Sequence, residues 1–243
     1  VRAWWAQTRA EVSMTLRRGE TLLVTVGIPV MLLVFFTSVR VTSTPTTHRV
    51  DFVAPGILAL CVLSTSLVAL SIATGFERSY GVLRRLHVTP LGRRRLIGAK
   101  MAGVGVTELV QVAVLSGVAA ALGWHPHGGA STALAAFAVL ALASAGLAGI
   151  GLALAGRLRA EVNLAAANGL YLLLLLFSGI VVPVTSFPAV IQRVATALPS
   201  GALAQGLHRL LGSGAAPTGG DWLCLGLWAL AAPLVAARTF SFD

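Results

Sequence analysis

Residues 109–156 read LVQVAVLSGVAAALGWHPHGGASTALAAFAVLALASAGLAGIGLALAG, and no Asp, Glu, Lys or Arg interrupts them. A helix needs about 20 apolar residues to span a bilayer, so this run holds two crossings. They part at Trp124, His125, Pro126, His127, Gly128 and Gly129, because proline and paired glycines break helices. The whole chain agrees with this reading. Of 243 residues, 56% are hydrophobic and only 11% charged, with a mean hydropathy of +0.86. A soluble domain carries about 25% charged residues, and disorder requires low hydrophobicity with high charge. Both classes are excluded.

On either side of this run, uncharged or nearly uncharged stretches bring the total to six transmembrane helices, at 21–39, 52–75, 101–123, 131–156, 162–182 and 222–238. The expected fold is an all-α membrane protein, with residues 1–243 forming one transmembrane domain. The last span is short, and Arg238 can lengthen it by snorkelling. No apolar run begins at residue 1, so no cleavable leader is expected. Cys61 and Cys224 lie in apolar runs and read as small core residues.

The net charge is +10. In a soluble chain that would suggest nucleic acid; in a membrane chain it marks the cytoplasmic loops, and no nucleic-acid partner is expected. With the N-terminus inside, the inner segments hold Arg2, Arg9, Arg17, Arg18, Arg78, Arg84, Arg85, Arg93, Arg94, Arg95, Lys100, Arg157, Arg159 and Arg238. The outer segments hold only Arg40, Arg49, Arg193 and Arg209. The split predicts a multi-pass protein of the cytoplasmic (inner) membrane with both termini cytoplasmic.

Two segments are amphipathic without spanning. In residues 1–18, Val1, Trp5, Thr8, Val12 and Leu16 share one stripe, with the arginines outside it. This pattern fits an interfacial helix on the inner surface. Between spans five and six, residues 183–211 carry apolar residues at helical spacing, interrupted by Pro188, Arg193 and Pro199. Two short helices dipping into the outer leaflet fit this pattern, as does a longer solvated loop.

Catalytic chemistry is not evident. The only lysine, Lys100, lies in Gly98-Ala99-Lys100-Met101, which does not fit the phosphate-binding loop. His125 and His127 have no Cys or carboxylate near them in the sequence. No histidine lies within a span, so an intramembrane Ser–His pair cannot form. Glu108 is the one acid inside a predicted span. Either it has a function, as intramembrane carboxylates do by default, or it sits near the inner interface and pairs with Lys100 or Arg157. Gln111 and Asn168 join it as candidate pathway residues, although hydrogen bonds between packed helices account for such polar residues equally well.

Residues 76–100 read FERSYGVLRRLHVTPLGRRRLIGAK. On one continuous helical wheel Phe76, Ser79, Tyr80, Val82, Leu83 and Leu86 share an arc. Glu77, Arg78, Arg84 and Arg85 lie opposite, and Thr89-Pro90 ends the helix. The segment reads as an amphipathic cytoplasmic helix over 76–90, or as a basic loop resting on anionic lipid.

Here the chain resembles a family. Phe76-Glu77-Arg78, Gly81, Leu83, Leu86, Thr89-Pro90-Leu91, Arg94, Gly98 and Lys100 look like the first cytoplasmic loop of ABC-2 type permeases. Ser178-Gly179, Pro183, Phe187-Pro188, Ile191-Gln192, Ala195, Leu198-Pro199 and Arg209 look like that family's outer segment between spans five and six. The resemblance implies a transport subunit, not an enzyme, of a bacterial ABC exporter. Two separate ABC ATPase subunits would bind ATP and Mg, and no cofactor is expected in this chain. A second permease half, identical or related, would complete the pathway in membrane lipid. Phe76, Glu77, Arg78, Gly81, Leu83, Arg84, Arg85, Leu86, Thr89 and Pro90 would form the ATPase-coupling helix. Pro183, Phe187, Pro188 and Pro199 would shape an outer re-entrant segment. The implied cargo is a hydrophobic or amphiphilic molecule such as a drug, antibiotic or lipid. An ATPase-independent scaffold and a secondary carrier are the alternatives.

Overall fold

The computed structural model describes residues 2–17, 19–39, 49–87, 92–126, 128–180 and 188–241. Every regular element among them is helical: α1 (Arg2–Arg17), α2 (Gly19–Ser38), α3 (Arg49–Val62), π1 (Leu63–Ala69), α4 (Leu70–Ser79), α5 (Val82–His87), α6 (Arg93–Ala121), α7 (Ala130–Ala155), α8 (Ala160–Phe177), α9 (Ala189–Ala197), α10 (Pro199–Leu207), π2 (His208–Ser213) and α11 (Gly219–Thr239). Among the described residues, five helices are long and apolar enough to cross a membrane: the continuous Arg49–Ser79 rod, α6, α7, α8 and α11. The stretch Leu23–Ser38 of α2 is a shorter apolar helix. The all-α membrane fold read from the sequence is therefore the fold observed.

Several helices overrun the expected spans. α6 starts at Arg93 rather than 101, because Arg93-Arg94-Arg95 are good helix formers. At 1.5 Å per residue, the helix reaches about 43 Å, beyond a hydrocarbon core of about 30 Å. Its charged first turns stand at the basic end of the bundle, where Arg93 donates through Nη1 to the carbonyl of Arg238 at 3.3 Å.

Small residues set the packing. A Cβ on Gly149 of α7 would lie 2.4 Å from the backbone nitrogen of Pro233 on α11, and one on Gly151 would lie 2.7 Å from the carbonyl of Leu67 in π1. Both helices thus approach α7 at backbone distance, the packing expected where lipid offers no hydrophobic drive. Leu58, Leu63, Leu67, Leu115, Leu147, Leu203, Leu207 and Leu225 belong to one buried cluster. Leu70, Leu83, Leu96, Ile97, Leu152 and Phe240 belong to a second, at the basic end.

The segment expected as one helix over 76–90 is divided, which corrects the sequence reading. Phe76–Ser79 end α4, and α5 begins at Val82. Gly81 is the reason. Its φ is +70°, a left-handed conformation that glycine adopts at little cost, and its amide donates to the carbonyl of Arg78 at 3.0 Å, as in glycine-terminated helices. The single wheel arc therefore does not exist: Tyr80 is 74% exposed while Leu83 is 0% exposed. Thr89 and Pro90 lie outside the described residues, as do Pro183 and Phe187. At the opposite end of the bundle, Pro188 precedes α9 and Pro199 opens α10, where proline's missing N–H costs nothing. The described part of this segment thus holds two short helices, the second running into π2.

Candidate functional site

Two groups of polar side chains stand out, one at the basic end and one within the bundle. At the basic end, Lys100 of α6 is buried, with 2% exposure. Its Nζ donates to Oε2 of Glu77 at 2.6 Å and to Oε1 of Glu11 at 3.1 Å. A buried ammonium is tolerated only when it is paired, and here two carboxylates from different elements pair with it. The lysine thereby ties α1 and the end of α4 to α6. The neighbouring Arg78 donates through Nη1 to the carbonyl of Ala155 at 2.8 Å. That carbonyl is the last of α7, where a cation suits the negative end of the helix dipole. Leu83 joins the buried cluster containing Leu96 and Leu152. Glu77, Arg78 and Leu83 thus root the segment between α4 and α6 on α6 and α7 and, through Lys100, on α1.

The surface that remains is formed by Tyr80, Val82, Arg84 and Arg85, all exposed. Phe76 is half-buried and stacks on Tyr80, with ring centroids 6.0 Å apart. Leu86 lies within α5, and its side chain is not among those described.

Within the bundle, π1 supplies the second group. A π turn carries one extra residue per turn and is frequent at functional sites. Here it points Thr65 and Ser66 into the interior. Ser66 donates through Oγ to Oε1 of Glu108, and its Oγ lies 3.0 Å from Oγ of Ser144 on α7. One turn further along α6, Gln111 donates to the carbonyl of Thr25 at 3.0 Å, and its Oε1 accepts from Thr65 at 3.2 Å. Glu108 and Gln111 therefore share one buried face of α6. Glu108 pairs with neither Lys100 nor Arg157; serines hold it. Beside it, a cavity of about 420 Å³ opens between α6 and α7, lined by Val62, Met101, Glu108, Phe137, Leu140 and Ser144. Asn168 does not join this group. It is exposed on α8, with its side-chain amide donating to the carbonyl of Leu164 at 2.8 Å.

The serines and the Glu11–Lys100 link escaped the sequence reading. A lone lysine lying in three dimensions between two carboxylates shows only through the fold, since Glu11 and Lys100 are 89 residues apart. Among the described residues, no group of three or more His, Cys, Asp or Glu could hold a metal ion.

Residues 2–209 match a family model described as ABC-2 type transporter. Among curated proteins there is no match.

Proposed function

The chain belongs to the ABC-2 type transporter family, and on that premise we propose that it is the permease subunit of an ATP-driven exporter. Membership makes it a permease component of an ABC transporter and a multi-pass membrane protein. Beyond that, in this reading a separate ABC ATPase, in two copies, binds and hydrolyses ATP with Mg. A second permease half, identical or related, completes the pathway. Both termini and the segment from Phe76 to Pro90 face the cytoplasm.

The observation that carries this reading is the way residues 77–83 are anchored. A loop that passes force from an ATPase to a membrane domain needs an exposed docking face and a stiff connection to the spans. Tyr80, Val82, Arg84 and Arg85 supply the face. Leu83, Glu77 and Arg78 supply the connection to α6, α7 and α1. When the ATPase pair closes, movement of α5 is transmitted to these helices as a rigid body. The cargo is hydrophobic or amphiphilic, since the cavity next to Glu108 is apolar apart from that carboxylate and Ser144. A cationic group on the cargo would meet Glu108.

The test is co-purification of an ABC ATPase with the full chain, followed by ATP-dependent movement of an amphiphilic dye in vesicles. Absence of an ATPase partner, with transport unaffected by ATP, would favour a scaffold or a secondary carrier instead.

A further inference from the structure

At the end of the bundle opposite α5, a groove of about 450 Å³ opens between α9, α10, π2 and the start of α11. Gln205 and Arg209, four residues apart and so on one face, form part of its polar lining. Leu223, Leu227 and Trp228 form part of its apolar lining.

Some of the polar groups are already engaged. Trp228 donates through Nε1 to the carbonyl of Ala197 at 3.0 Å. Oδ2 of Asp221 accepts from the amide and hydroxyl of Thr218, at 2.8 and 2.7 Å, and from Nη1 of Arg209 at 3.0 Å. Two donors are not used up. Nε2 of Gln205 is buried with no hydrogen-bond partner among the described residues, an arrangement that native proteins rarely leave unfilled. Arg209 engages Asp221 through Nη1 alone, although a guanidinium carries about five N–H donors. Asp221 holds the guanidinium in place, and Gln205 and Arg209 are both residues of the groove's wall.

The groove also leads somewhere. Leu223, Leu227, Leu230 and Leu234 are exposed along one stripe of α11, a helix of membrane-spanning length. In a bilayer, acyl chains lie along such a stripe. We propose that this groove is a phospholipid site: the headgroup phosphate accepts hydrogen bonds from Gln205 Nε2 and the Arg209 guanidinium, and one acyl chain runs along Leu223 and Leu227. Phosphate offers several acceptor oxygens to an amide and a guanidinium together, and its charge-assisted bonds are the strong kind. The opening onto an apolar stripe favours a tethered phosphate over a free one. This assignment needs neither an ATPase nor a cargo, so it stands or falls separately from the export reading.

The test reconstitutes the full chain in nanodiscs containing phosphatidylglycerol with a photoactivatable acyl chain, and maps the labelled residues. Labelling of the 219–228 segment is expected. Gln205→Leu removes a donor that has no partner among the described residues, so the fold is kept while labelling drops about tenfold, as for loss of one hydrogen bond to a charged group. Gln205→Glu, which sets a carboxylate against the phosphate, drops it further. Diacylglycerol with the same tail and no phosphate labels the segment weakly. Three results would each overturn the assignment: equal labelling by diacylglycerol, unchanged labelling in both Gln205 variants with thermal stability preserved, or displacement by millimolar-range glycerol phosphate, which would make the ligand a soluble phosphate.

Discussion

Nζ of Lys100 lies 2.6 Å from Oε2 of Glu77, and this contact joins the last turn of α4 to the start of α6. The lysine also meets Glu11 of α1 at 3.1 Å. One cation therefore serves two carboxylates. Removing the cation takes the shared partner from both acids, whereas removing one acid leaves the other still paired with Lys100.

The three substitutions should be unequal. Lys100→Met should destabilise the chain by about 3 kcal/mol, the low end for breaking a buried pair, because Glu11 and Glu77 keep some contact with water. Glu77→Gln should cost less, and Glu11→Gln should stay within about 1 kcal/mol, because Glu77 still pairs with Lys100. Thermal unfolding in detergent measures the order. Equal effects for all three would mean that the lysine does not organise this end of the bundle.

A related test concerns Glu108. Glu108→Gln keeps an acceptor for Ser66, so assembly and thermal stability should match wild type. If the carboxylate meets cargo, cargo-stimulated ATPase activity of the complex should fall several-fold, most of all for cationic amphiphiles. Unchanged stimulation and transport would make Glu108 a packing residue held by serines.

The spans are legible in the sequence because hydropathy acts locally: residues 109–156 declare two helices without reference to anything else. Glu108 and Gln111 could be singled out for the same reason, since a polar residue in an apolar run is conspicuous. Ser66 and Ser144 were not, because serine is ordinary in a span and only the π turn and the close approach of α7 bring the two together. The helical wheel failed at Gly81. A wheel assumes unbroken periodicity, and one residue at φ +70° rotates everything after it. Asn168 misled for a similar reason: a polar residue within a span can bond its own helix and face outward.

Gly81 makes a separable prediction. No heavy atom lies within 4 Å of a Cβ built there, so its requirement is conformational and not steric. Gly81→Asn should be tolerated, since asparagine visits the left-handed region. Gly81→Val should cost roughly 1–3 kcal/mol and weaken ATPase association by shifting α5. Equal behaviour of the two variants in thermal unfolding and ATPase pull-down would contradict this.

Orientation can be checked with single cysteines. Arg94→Cys, at the exposed start of α6, should resist an impermeant thiol reagent added outside intact cells. His125→Cys, at the exposed turn between α6 and α7, should react with it. Outside labelling at position 94 would invert the proposed topology.

In the proposed exporter, residues 80–85 dock an ATPase through one face and hold the spans through the other, and pull-down of the ATPase by paired variants separates the two roles. Leu83→Ala removes a side chain with no exposure and should cost about 2–5 kcal/mol of stability. Tyr80→Asp with Val82→Asp changes only exposed positions, where stability shifts stay within about 0.5 kcal/mol. That double variant should keep wild-type thermal stability yet lose both the co-purifying ATPase and ATP-dependent export. Arg84→Ala with Arg85→Ala should weaken the association, and more so at high salt. Full ATPase binding and full export by the Tyr80→Asp, Val82→Asp variant would mean that this face does not dock the ATPase.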